Sequence, residues 1–124
     1  MTGVADSGVD PATVDLLGVL AYGELTAFER LASDARLAPT IADKAALATM
    51  AAAEFAHFSQ LRDHLAKLGI DPQEAMAPFV GPLDEFHDTT DPNDWFEGLI
   101  KAYVGDGLAT DFYREVSAFV TDQP

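Results

Sequence analysis

At 124 residues the chain is the size of one domain and long enough to bury a core if its elements pack. Hydrophobic residues make up 48% of it, which excludes a disordered or low-complexity chain. Seven basic against 21 acidic side chains leave a net charge of −14, an argument against an extended nucleic-acid surface, because phosphate contacts need clustered Lys and Arg.

Cysteine is absent, so disulfides and thiolate metal sites are excluded and any metal must sit on oxygen and imidazole ligands. The N-terminus, MTGVADSGVD, lacks the basic segment and apolar stretch of a secretory signal. It reads as a flexible tail over residues 1–10, ahead of one domain over 11–124. No run approaches the roughly 18 continuous apolar residues of a membrane helix. The expectation is a cytoplasmic protein without a membrane partner.

The first predicted helix begins at Pro11, with Asp10 as N-cap and proline at the first helical position. It runs to about Ala38, where Pro39 stops it. Its apolar stripe is Leu17, Leu20, Ala21, Phe28, Leu31 and Ala35, interrupted by Glu24. Thr40 caps a second helix that continues to Leu68 and stops at Gly69. That stripe is Leu47, Met50, Phe58, Leu61, Leu65 and Leu68. The turn between the two is short, so they are antiparallel neighbours. From Gly69 to Asp91 the chain carries Pro72, Pro78 and Pro82, and it reads as a long connection with at most a short helical turn. A third helix starts at Asp91-Pro92 and runs to about Val120, with a stripe that includes Trp95, Leu99, Tyr103, Tyr113 and Val116. No strand signal survives, and the fold class is all-α.

Each helix aims a carboxylate into its apolar stripe. A helix turns about 100° per residue, so positions spaced by threes and fours share a face. Glu24 lies between Leu20 and Phe28. Met50, Glu54, His57 and Leu61 step along one face of the second helix, and Leu99, Tyr103, Asp106 and Tyr113 do the same on the third. Unpaired buried carboxylates cost several kcal/mol each. A divalent cation removes that cost, and oxygen donors with an imidazole suit iron or manganese. In a Glu-x-x-His pair the carboxylate can bridge two metals while the histidine takes a terminal position.

Glu24 in AYGELTAFERL, Glu54-x-x-His57 in AAAEFAHFSQL and Asp106 in YVGDGLATDFYREV resemble the ligand positions of the ferritin-like di-iron superfamily. More narrowly, the chain is similar, from about residue 14 to 120, to actinobacterial ferritin-like proteins related to the tRNA hydroxylase that acts on isopentenyl-adenosine. The resemblance implies an up-down helical bundle with a long crossover between its second and third helices. It implies two iron ions (or manganese) on Glu24, Glu54, His57 and Asp106, and a non-haem di-iron hydroxylase. In two respects the sequence departs from that pattern. Asp106 stands where the superfamily usually has Glu. The fourth helix, with a second Glu-x-x-His or Asp-x-x-His, is expected after the third and is missing before Pro124, so the domain reads as truncated, and a homodimer could complete the bundle.

Plainer readings stand beside these. Glu54 and His57 could be a salt-bridged pair, Glu24 could be exposed if its stripe is rotated by one position, and Gly105-Asp106-Gly107 could mark a kink. His64 reads as solvated near a helix end, and the Asp84-Glu85-Phe86-His87-Asp88 cluster as an acidic loop. A small molecule or a modified base is the expected substrate; the acidic charge disfavours tRNA. The alternatives to a hydroxylase are a ferroxidase or iron-binding protein of the ferritin kind, and a metal-free helical dimerisation module.

Overall fold

The computed structural model describes residues 8–89 and Arg114, a helical, exposed residue. The predicted third helix at 92–120, and with it Asp106, lies outside the described residues apart from Arg114. Three helices make up the described part: α1 (Pro11–Ala35), α2 (Ile41–Lys67) and α3 (Pro72–Thr89). It is an all-α bundle, as the periodicity required.

Both long helices start as their caps predict. Asp10 accepts a hydrogen bond from the Ala12 amide, with Pro11 at the first position of α1. Thr40 accepts one from the Asp43 amide at the start of α2. At the other end of α2, Gly69 takes φ +80°, a left-handed conformation that ends the helix at little steric cost. α1 ends at Ala35 rather than Ala38.

α1 and α2 pack as an antiparallel hairpin with two separate apolar clusters. One, towards the N-terminal half of α1, gathers Val14, Leu17, Leu20 and Ala21 with Phe58, Leu61 and Leu65. The other, near the hairpin turn, joins Leu31 and Ala35 to Leu47 and Ala51. Between them on α1 comes Glu24, and on α2 Glu54. The core is therefore divided by a polar layer.

The segment 69–91 corrects the sequence reading: it is not an open connection, because α3 occupies 18 of its residues. Asp71 caps it through the Gln73 amide, and Pro72 stands at its start, where a missing N–H costs nothing. Pro78 and Pro82 lie inside the helix. Each removes an intrahelical bond, which is why propensity argued against a helix. Burial of Ala75 and Met76 against the first cluster, together with polar contacts to α1, offsets that cost. At the crossing of α1 and α3 only glycine fits: a Cβ on Gly18 would fall on the carbonyl oxygen of Ala75. Having turned back after α2, α3 runs in the same direction as α1.

Candidate metal centre

The polar layer of the hairpin consists of Glu24, Glu54 and His57. Glu24 and Glu54 are only 4% and 3% exposed, although both are carboxylates. Their neighbours on the stripes are Leu20, Leu31, Ala51 and Phe58, so the helical register that buries the apolar residues also buries the acids. His57 Nδ1 lies 3.7 Å from Glu24 Oε2 and 3.8 Å from Glu54 Oε2. One ligand atom from each of the three residues falls within 4.8 Å of the others. Phe55, next to Glu54, stacks edge-on with Phe28 at 5.2 Å and lies 5.6 Å from Phe58, forming an aromatic wall beside this layer.

These separations decide what the cluster can do. They exceed the 2.7–3.2 Å of a good N–H···O bond. A protonated imidazole would neutralise one of the two buried charges, and a divalent cation neutralises both. Ligand atoms about 2.0–2.2 Å from a small divalent ion stand roughly 3–4 Å apart from each other, so the observed spacings leave room for one between them. The donor set, two carboxylates and an imidazole without sulfur, suits iron or manganese and disfavours softer ions. The residues present therefore fit a metal of the ferritin-like kind.

The structure brings together three of the four residues singled out from the sequence, and places Glu24 inside, not rotated outward. The fourth, Asp106, lies outside the described residues. His64 is half-buried near the end of α2, away from the cluster.

The Asp84–Asp88 stretch is helical, not a solvated loop. Its side chains form a polar seam with α1. The Tyr22 hydroxyl donates to Asp84 Oδ1 at 2.6 Å. That bond to a carboxylate, then partial burial and the charge of Asp84 itself, push the Tyr22 phenol up to about 12. The Thr26 hydroxyl, buried, gives its hydrogen to the Gly23 carbonyl at 3.0 Å. Its oxygen also lies 3.1 Å from His87 Nε2, which donates to it in the tautomer protonated at that nitrogen. Arg30 faces Asp88 at 3.8 Å, an exposed pair of small energetic weight. Sequence periodicity missed this seam because it depends on α3 being a helix.

A family model described as a ferritin-like domain of actinomycetes matches residues 8–123. The chain belongs to that family. No curated protein matches it. Among the described residues no helix is long and apolar enough to cross a membrane. A ferritin-like fold with a Glu/Glu/His cluster is what a di-iron protein requires of this half of its bundle.

Proposed function

We propose that this protein binds iron through Glu24, Glu54 and His57 and uses it as a non-haem di-iron oxygenase, a hydroxylase acting on a small molecule or a modified base. The observation that carries this reading is the buried carboxylate pair at 4% and 3% exposure, held 3.7 and 3.8 Å from one imidazole nitrogen. Iron, when bound, supplies the capacity to activate dioxygen, which no side chain has. Glu24 and Glu54 contribute the charge that retains a divalent ion, and His57 a neutral nitrogen donor. Phe58 and the flanking leucines shield Glu24 and Glu54 from water, which strengthens the electrostatic contacts of the two carboxylates, while the His57 side chain stays partly exposed. The resemblance to the tRNA-modifying hydroxylases supports the reaction type. The net charge of −14 speaks against a whole tRNA as its substrate and favours a small molecule.

The test is iron retained per chain after anaerobic Fe(II) loading and desalting, comparing wild type with Glu54→Ala/His57→Ala. Retention in the wild type that the double substitution abolishes is the expected result. Equal retention in both would sink the assignment and leave a metal-free helical module. Manganese loaded in parallel tests the metal.

The strong negative charge also favours a second reading, ferroxidase or iron-storage chemistry, because such a surface concentrates cations. Assembly separates the two: a storage cage elutes as a very large particle, a hydroxylase as a small unit. Dioxygen consumption separates them as well. A ferroxidase uses oxygen in proportion to added Fe(II), whereas a hydroxylase consumes it catalytically when substrate and reductant are present.

A further inference from the structure

We infer that the bound metal acts as a staple for the turn end of the α1–α2 hairpin. Without metal, residues 28–51 open as a unit while the rest of the bundle stays packed; with metal they are held shut. The inference rests on the iron-binding reading above and adds a conformational control exerted from that same site.

A domain ordinarily builds one contiguous core. Among the described residues this hairpin has two clusters. The first ties three helices together, because Ala75 and Met76 of α3, and Ile70 before it, join Leu17, Leu20, Phe58 and Leu65. The second is built by α1 and α2, from Leu31, Ala35, Leu47 and Ala51. Two of those four are alanines, so among the described residues the turn end buries much less apolar surface than the three-helix body.

What stands between the clusters decides how firmly they are joined. Ligand atoms of Glu24, Glu54 and His57 lie within 4.8 Å of one another, and both carboxylates are buried. Such a layer adds no apolar contact, and two like charges held that close and away from water repel. Parting the helices from the turn inward hydrates both acids while the three-helix cluster stays packed. Local opening follows units of this kind, where few buried apolar contacts meet the rest across a weak layer. A divalent cation reverses the effect of the layer. Glu24 is four residues before Phe28 on α1, and Glu54 three after Ala51 on α2, so the carboxylates belong to the last turn that must part. Binding to the closed hairpin alone then holds it shut by mass action. The iron-free chain thereby exposes Leu31 and Leu47 intermittently, and the loaded chain keeps them covered.

Hydrogen–deuterium exchange on the full chain, read by mass spectrometry with and without anaerobic Fe(II), tests this together with iron analysis. In metal-free protein the helical amides of residues 31–35 and 47–51 should exchange at least tenfold faster than those of 58–65. Fe(II) should slow the turn-end amides at least tenfold. Glu24→Gln, which removes one of the two buried charges, should slow them about as much with no metal present. Ile70→Val trims the first cluster by one methylene; it should speed exchange at 58–65 and leave the turn end as in wild type. One common rate for both sets in metal-free protein, or Ile70→Val speeding both alike, overturns the separate unit. Turn-end exchange in Glu24→Gln no slower than in wild type overturns the acid layer as its cause. Turn-end amides that Fe(II) leaves unchanged, in a chain that retains the iron, overturn the staple and leave the iron-binding reading standing. Wild type that retains no iron overturns both readings.

Discussion

Glu54 and His57 on α2 and Asp84 and His87 on α3 have the same chemical types at the same spacing, one helical turn apart. The first pair faces another buried carboxylate, Glu24, with the imidazole nitrogen 3.7 Å and 3.8 Å from the two acids. The second faces two hydroxyls, and each of its members finds a short bond: Asp84 from Tyr22 at 2.6 Å, His87 to Thr26 at 3.1 Å. One pair belongs to a buried acidic layer whose charge a cation would balance, and the other is engaged by two hydroxyls. A carboxylate-x-x-His spacing places two side chains on one face; what faces them decides whether they hold a metal or fasten a helix.

The sharpest way to break that contrast is to remove each pair in turn. Iron retention should disappear in Glu54→Ala/His57→Ala and persist at the wild-type level in Asp84→Ala/His87→Ala. If the α3 pair proves necessary for iron, the two motifs share one centre and the contrast collapses. Stability should show the reverse pattern in metal-free protein. Glu24→Gln keeps the size of the side chain while removing one of two mutually repelling buried charges. It should raise the unfolding free energy by about 1–4 kcal/mol in urea titrations without metal. No gain, or a loss, would mean that Glu24 is already well compensated in the metal-free fold.

What could be read from the sequence follows the same line. The caps at Asp10 and Thr40, the stop at Gly69 and the stripes of α1 and α2 were legible because each depends on residues within one helical turn. Glu24, Glu54 and His57 were legible because they interrupt an apolar stripe, which a surface carboxylate does not. α3 was not legible. Pro78, Gly81 and Pro82 all argue locally against a helix, and what overrides them is tertiary: Met76 and Ala75 under α1, and the seam through Tyr22 and Thr26. Thr26 carries no local signal of its role, which comes from His87 standing opposite it on α3.

How tightly α3 is held can be tested at Gly18. Alanine in the middle of a helix normally stabilises it by about 0.5–1 kcal/mol relative to glycine. At Gly18 the new methyl would strike the Ala75 backbone, which cannot turn aside as a flexible side chain would. The helices must then separate, and Gly18→Ala should cost about 1–3 kcal/mol net by thermal or urea unfolding. Gly23→Ala, also inside α1 and with open space where a Cβ would stand, should instead give the ordinary small gain. Matching effects at both glycines would show that α3 does not rest on α1 as described. Neither substitution replaces Glu24, Glu54 or His57.

The smallest expected effect lies in the seam itself. Tyr22→Phe removes the hydroxyl that Asp84 accepts from and leaves the ring packed against the first apolar cluster. Asp84 is exposed, so water replaces the lost donor, and the cost should be about 1 kcal/mol or less. The pH dependence identifies the contact. The phenol is raised to about 12 in the folded chain, against about 10 for an ordinary tyrosine. A group whose folded value is raised contributes fully below its unfolded value and loses that contribution as pH climbs through the folded one. The stability difference between wild type and Tyr22→Phe should therefore stay constant through neutral pH and close between about pH 10 and 12, while iron retention at neutral pH is unchanged. A difference that closes on the acid side instead would assign the effect to protonation of Asp84, and the seam would be held by a carboxylate rather than by a phenol.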